Sequence, residues 1–243
     1  MLVTSCDTCP LRVMPLFVPF SPSELAFMRR FKTGEQSFNR NETVLYEGTR
    51  STTLFTVLSG LGTRSVLLED GRRQVINFVF PGDFIGLQSS LMGEMKHTVT
   101  ASTPMVLCTF DRHRLWEMFR DHAERAYDLT WIAAVEEHFL GETIATLGQR
   151  DATERLAWAF MRIWRRLSAV GLVRDGTVPL PFRQQDLADA LGLSLVHTNK
   201  TVARLKERGL ATWFAGRLSI PDMKAIALTA GVSDERAEIR PIL

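Results

Sequence analysis

Two groups of side chains in this 243-residue chain have types and spacings that could do chemistry. The first is Val196, Asn199 and Lys200. Residues spaced by three and four share one face of a helix. Near a helix N-terminus such a face suits the DNA major groove, where Asn and Lys reach base edges and phosphates. The second group is Cys6, Cys9 and Cys108. An odd number of thiols argues against a disulfide framework and leaves metal, redox or packing roles. His97, His113, His122 and His138 show no metal-ligand spacing. No nucleophile with a companion base and no phosphate-binding glycine loop occurs, so the expectation is a protein that is not an enzyme.

The elements that must carry the first group surround it. Residues 183–209 read as a helix, a glycine corner and a second helix. Leu187, Ala188 and Leu191 share the inner side of the first, Gly192 supplies the left-handed φ of a tight corner, and Leu193 tucks beneath. Ser194 caps the second helix. Its Thr198, Val202, Leu205 and Gly209 face inward, opposite Val196, Asn199, Lys200, Ala203 and Glu207. An ordinary helical hairpin with a solvated polar face shares that pattern, and the following residues separate the two. Leu210 to Trp213 and Leu218 to Ile220 read as short strands around Ala215 and Gly216, with Arg217 at the turn: a wing with a basic tip.

Composition supports two modest domains, with 45% hydrophobic residues sufficient for a core. Charge is unevenly spread. Residues 150–243 carry 15 Lys and Arg against 10 Asp and Glu, whereas the remainder carries 14 against 17. A basic back half and an acidic front half suit a sensor joined to an anion-binding module. Pro10, Pro15, Pro19 and Pro22 break any leader helix, and no apolar run approaches the roughly 20 residues that span a bilayer. The expected location is the cytoplasm, with no membrane partner.

In chain order, residues 1–22 form an irregular arm and Ser23 caps a short helix ending at Phe31. Strands are expected at Thr43 to Tyr46, Leu54 to Leu58, Thr63 to Leu68, Gln74 to Phe80, Thr98 to Ala101 and Met105 to Phe110, with a hairpin turn at Asp70-Gly71. Ala123 to Leu147 can form one long helix, apolar on two sides through Leu129, Trp131, Ile132, Val135, Phe139, Leu140, Ile144 and Leu147. Such a helix needs two partners, the preceding sheet and its own copy in a homodimer. A hinge is expected at Gly148 to Asp151, then a helix from Ala152 to Ser168, a short helix from Asp222 to Ala230, and a loose tail. The fold class is α+β: a small antiparallel β sandwich or barrel over 23–111, which the resemblance that follows implies is a jelly-roll, then a dimerisation helix over 112–147, a winged helix-turn-helix over 148–232 and a tail over 233–243.

This order resembles the CRP/FNR family of bacterial transcription regulators from about Ser23 to Gly231. The residues that carry the resemblance are the roll glycines in Tyr46-Glu-Gly48, Leu58-Ser-Gly60, Asp70-Gly71 and Pro81-Gly-Asp-Phe-Ile-Gly86, the segment Ala152-Thr-Glu-Arg-Leu-Ala157, and Asp186-Leu-Ala-Asp-Ala-Leu-Gly-Leu-Ser194. The resemblance implies a cyclic-nucleotide-binding-like sensor roll, a homodimer on pseudo-palindromic double-stranded DNA, and contact with RNA polymerase. Effector events in the roll would shift the helix pair and re-aim the recognition helices at the hinge.

At the recognition-helix positions where the family often carries Glu, a small or polar residue and Arg stand Val196, Asn199 and Lys200. Val196 cannot accept from a cytosine amino group but can pack on a thymine methyl, Asn199 can pair bidentately with adenine, and Lys200 offers a point charge instead of a fork. The expected half-site therefore differs from the best-known ones of the family. Arg183, which replaces a frequent capping Thr, and His197, Arg204 and Arg217 are expected on phosphates. In the roll, the resemblance draws an effector pocket from Gly82, Asp83, Gly86, Lys96 and Thr98. Met95 and Lys96 stand where a cyclic nucleotide meets Arg and Ser, which argues against that ligand. Cys6, Cys9 and Cys108 resemble the ligand layout of the oxygen-sensing branch, but Pro15 and Phe17 stand where its further N-terminal Cys is expected. An iron–sulfur cluster would need a non-Cys or borrowed ligand. No cofactor is expected, and the alternative function is a redox or iron–sulfur sensor carried by these cysteines.

Overall fold

The computed structural model describes residues 3–233 and 238–243. It divides into two compact units, Met1–Glu69 with Ile76–Glu136 and Ile239–Leu243, and Asp70–Val75 with Glu137–Glu238.

In the first unit, Ser21 rather than Ser23 starts α1 (Pro22–Phe31). The Ser21 hydroxyl accepts from the Glu24 N–H at 3.3 Å, and the Glu24 carboxylate accepts from the Ser21 N–H at 2.7 Å. The ring of Pro22 fixes a helical φ and needs no amide partner, so the cap falls just before it. Eight strands follow: β1 (Lys32–Phe38), β2 (Thr43–Leu45), β3 (Thr53–Ser59), β4 (Gly62–Leu67), β5 (Arg73–Val79), β6 (Phe84–Ile85), β7 (Thr98–Ala101) and β8 (Met105–Asp111), with α2 (Leu87–Met92) between β6 and β7. They form two antiparallel sheets ordered β1-β8-β3-β6 and β2-β7-β4-β5. All six expected strands are present. Between the sheets lies a core of Phe38, Phe55, Val57, Val79, Met95, Val99, Met105 and Leu107. At Gly60, where φ is +91°, a Cβ would lie 2.4 Å from the Pro104 carbonyl, so only glycine lets the chain turn so close to β8.

After β8 come α3 (Leu115–Asp121) and α4 (Ala123–Gln149). The long helix runs through Gly148, so the break before α5 (Ala152–Ala169) is shorter than the expected hinge. Asp151 marks it, its carboxylate accepting from Thr153 N–H at 2.7 Å and Glu154 N–H at 2.9 Å. The second unit continues with β9 (Val178–Pro179), α6 (Gln184–Leu191), α7 (Leu195–Glu207), β10 (Thr212–Phe214), β11 (Arg217–Ser219) and α8 (Met223–Ala230). Strands β10, β11 and β9 form a three-stranded antiparallel sheet. Leu156, Phe160, Ile163 and Leu167 of α5 pack inward as their helical spacing requires.

The expectation of a loose tail needs correction. Residues 234–237 lie outside the described residues, but Pro241, Ile242 and Leu243 are buried in the first unit.

Candidate nucleic-acid interface

Helix α7 is fixed on one side and open on the other. The Ser194 hydroxyl accepts from the His197 N–H at 3.2 Å, which sets where the helix begins. Thr198, Thr201 and Leu205 are buried beneath it, while Val196, His197, Asn199, Lys200, Ala203 and Arg204 are exposed. Thr201 joins the inner stripe by returning its hydroxyl to the His197 carbonyl at 2.9 Å, so its polarity is satisfied locally. Gly209 is exposed instead of packed. The outward face thus holds the three expected base-reading side chains together in its first two turns, with 64% of Val196 open to solvent.

The corner before α7 is held by a residue whose role the sequence pattern did not disclose. Gly192 ends α6 with φ +63°. Arg155, from α5, donates to the carbonyls of Leu191 at 3.0 Å, Leu147 at 2.7 Å and Arg150 at 2.8 Å. Leu191 and Leu147 lie in the last turns of α6 and α4, where carbonyls lack intrahelical partners and a positive charge is favoured. One guanidinium therefore ties the ends of two helices to a third. The signal was an Arg in the first turn of α5, a position that electrostatics alone would give to an acid.

The expected phosphate contacts differ in how free they are. Arg183 precedes α6, and the Asp186 carboxylate accepts both its N–H at 2.8 Å and its guanidinium at 3.0 Å. Burial raises the Asp186 pKa, but Arg183 and Arg73 outweigh it and hold the carboxyl below its ordinary value. The Arg204 guanidinium donates to the Thr153 hydroxyl at 3.2 Å. Arg217 lies on β11, not at the turn, and its guanidinium reaches the Thr177 hydroxyl at 2.5 Å, the Thr177 carbonyl at 3.0 Å and the Arg174 carbonyl at 3.3 Å. It braces the wing against the preceding loop. The wing tip itself is Phe214, Ala215 and Gly216, with Phe214 78% exposed and Ala215 at φ +49°.

The expected effector residues have separate commitments. Gly82 turns with φ +86°, and a Cβ there would lie 2.2 Å from the ring of Phe17. Asp83 is buried, its carboxylate accepting from the Phe80 N–H at 2.8 Å and lying 3.4 Å from Arg240. Gly86 caps α2, Lys96 pairs with Glu94 at 2.6 Å, and the Thr98 hydroxyl accepts from the Glu47 N–H at 3.1 Å. Met95 is sealed in the core. These residues do not fit a cyclic phosphate. A different polar pair lies inside the same unit: His97 is buried, and burial together with the nearby Arg64 charge lowers its pKa to about 4.

Cys6, Cys9 and Cys108 line one small cavity of about 30 Å³, all as free thiols. Among the described residues no three His, Cys, Asp or Glu side chains are grouped to hold a metal ion. Burial pushes the Cys108 thiol up to about 11 despite the opposing charge of Lys32, and burial raises Cys6 as well. With three cysteines in the chain and no such grouping around them, the thiols present do not supply the four thiolate ligands of an iron–sulfur cluster.

Comparison with known proteins agrees with this architecture. Residues 35–122 match the cyclic nucleotide-binding domain family, and residues 154–228 match the Crp-like helix-turn-helix domain family. The nitrogen fixation regulation protein FixK of Bradyrhizobium diazoefficiens is 31% identical over 89% of this chain and 90% of its own. The transcriptional activator protein FnrL of Cereibacter sphaeroides is 29% identical over 84% of this chain and 83% of its own. Among solved structures, FixK2 from Bradyrhizobium japonicum superposes with a TM-score of 0.73 at 24% identity, covering 82% of this chain and 98% of that one, a likeness of fold. With a cyclic nucleotide-binding-type roll and a Crp-like helix-turn-helix matched in order, and a regulator 31% identical over most of both chains, the chain belongs to the CRP/FNR family of transcription regulators.

Proposed function

We propose that the chain acts as a homodimer in the cytoplasm, reading a pseudo-palindromic DNA site through α7 and communicating with RNA polymerase, without catalytic chemistry. The observation that carries this reading is the outward face of α7, where Val196, Asn199 and Lys200 stand exposed over a buried stripe of Thr198, Thr201 and Leu205. Asn199 pairs with adenine, Val196 packs against a thymine methyl, and Lys200 supplies positive charge to guanine or phosphate. His197, Arg183 and Arg204 reach backbone oxygens from the rim of that face. Arg217 supports the wing and contributes to phosphate contact only through the charge it brings there.

Dimerisation is supported by α4. Tyr127, Ala134, Gly141 and Gly148 recur every seven residues, as do Thr130, Glu137 and Ile144, and all seven are exposed. A seam with that period suits two parallel helices, and its small residues permit close approach. In a two-fold dimer both recognition helices meet successive major grooves about 34 Å apart. Among the described residues no helix is long and apolar enough to cross a membrane.

The test is fluorescence-anisotropy titration of duplex DNA from the protein's own selected site across a salt series. Specific binding should weaken steeply with salt as counterions are released. Lys200→Ala should weaken it and flatten the salt slope. Salt-independent or undetectable binding by the folded chain would contradict the proposal.

A further inference from the structure

Segment 239–243 meets the first unit through the backbone and side chain of Arg240 and through the carbonyls of Ile242 and Leu243. Arg240 bridges Phe17 in parallel, its N–H donating to the Leu16 carbonyl at 2.8 Å and its carbonyl accepting from the Val18 N–H at 2.9 Å. Its guanidinium lies 3.4 Å from the Asp83 carboxylate, with both side chains almost entirely buried. The Ile242 carbonyl accepts from Arg125 at 3.3 Å, and the Leu243 carbonyl accepts from the Thr56 hydroxyl. Pro241 has no N–H, so burying it needs no acceptor. The Ile242 and Leu243 side chains, each 4% exposed, close the cavity that Cys6, Cys9 and Cys108 share.

The sheet beneath explains why a cover is needed. In β3, Phe55 and Val57 point into the roll core, so Leu54, Thr56 and Leu58 point the other way. That outer face is buried too, and Thr56 and Arg125 are buried polar groups beside it. Buried polar groups are costly without partners. Arg125 is also anchored by Glu24 at 2.8 Å and by Asp128, so it is held where the Ile242 carbonyl meets it.

We propose that this face of the sensor unit is a peptide-binding slot for an Arg-Pro-apolar-apolar sequence, filled in cis by residues 239–243, and that emptying it opens Cys108 to solvent. Asp83 selects the arginine, the arm edge pairs with the backbone as an added strand, Arg125 and Thr56 hold two successive carbonyls, and the apolar outer face of the sheet around Leu58, Cys108 and Phe110 takes the two apolar side chains. Covalent attachment makes the cis peptide hard to displace, because a segment of the same chain competes at a high effective concentration.

The test uses the full chain and a fluorescein-labelled peptide Glu-Ile-Arg-Pro-Ile-Leu. The Arg240→Glu/Ile242→Asp chain, with its own segment disabled, should bind the peptide saturably and at least tenfold more tightly than the unaltered chain. Adding Asp83→Asn should reverse most of that gain. Iodoacetamide should alkylate Cys108 at least tenfold faster in the double variant, and added peptide should slow it again. A folded double variant that ignores the peptide, or equal binding by both chains, would overturn the proposal. Hydrogen exchange on the unaltered chain provides an arm that needs no variant. The Arg240 amide should be protected at least a hundredfold over an unstructured peptide, and exchange at the unstructured rate would equally overturn the slot.

Discussion

Asn199 and Lys200 are neighbours on α7 with different chemistry, and substitution separates their roles. Asn199→Ala should cost about 1–3 kcal/mol on the selected site and relax the preference for adenine at one position per half-site. Binding to a panel of single-base variants would show it, and a uniform loss across the panel would assign Asn199 to the backbone instead. His97 provides a pH signature in the sensor unit. Its pKa is lowered to about 4 from an ordinary 6.5 by burial and by Arg64, so the folded state resists taking the proton. The stabilisation is complete above pH 6.5 and is lost as pH falls from there toward 4, amounting to on the order of 3 kcal/mol. Thermal unfolding of the unaltered chain should lose stability across that window, and His97→Gln should flatten the loss; an unchanged slope would contradict the assignment. At this scale the sequence was legible where a side chain points outward. Val196, Asn199 and Lys200 were recoverable from spacing, because exposure on a helix follows from periodicity. Arg217 and Asp83 were not, because their partners, Thr177 and Arg240, lie 40 and 157 residues away in sequence.

Elements were legible wherever hydrophobic period or turn chemistry is local. The six strands with β-rich runs, the Gly192 corner, the Ser194 cap and the Asp222 start of α8 all follow from neighbouring residues. Strand β1, Lys-Thr-Gly-Glu-Gln-Ser-Phe, carries no apolar alternation and exists because β8 pairs with it from Lys32 to Phe38. The cap of α1 shifted to Ser21 because Pro22 belongs inside the first turn. Arg155 acts between elements, and its loss should be felt in DNA binding without unfolding the chain. Arg155→Ala leaves the Leu147, Arg150 and Leu191 carbonyls without their donor, at a cost of about 1–3 kcal/mol. Specific affinity should fall several-fold while far-ultraviolet circular dichroism is retained. Arg155→Lys, with one compact charge instead of a fork, should recover only part of the loss.

For the whole molecule, two apolar sides on one helix implied two partners, and the folded chain leaves the seam through Ile144 open, with that side chain 72% exposed. Ile144→Asp should shift the chain toward monomer in sedimentation and weaken binding to a two-half-site duplex by at least tenfold, with little change on an isolated half-site. Segment 239–243 was illegible for the opposite reason: five residues have no period, and only the outer face of β3 reveals where they belong. The regulatory account rests on two copies of α7 reading two half-sites in fixed register. The most direct measurement is selection of bound DNA from a random duplex library with the full chain. The account predicts an inverted repeat with half-site centres about one helical turn apart and an adenine fixed by Asn199 in each half. Enrichment of single, unrepeated sites, or recovery of sequences unaffected by Asn199→Ala, would contradict it.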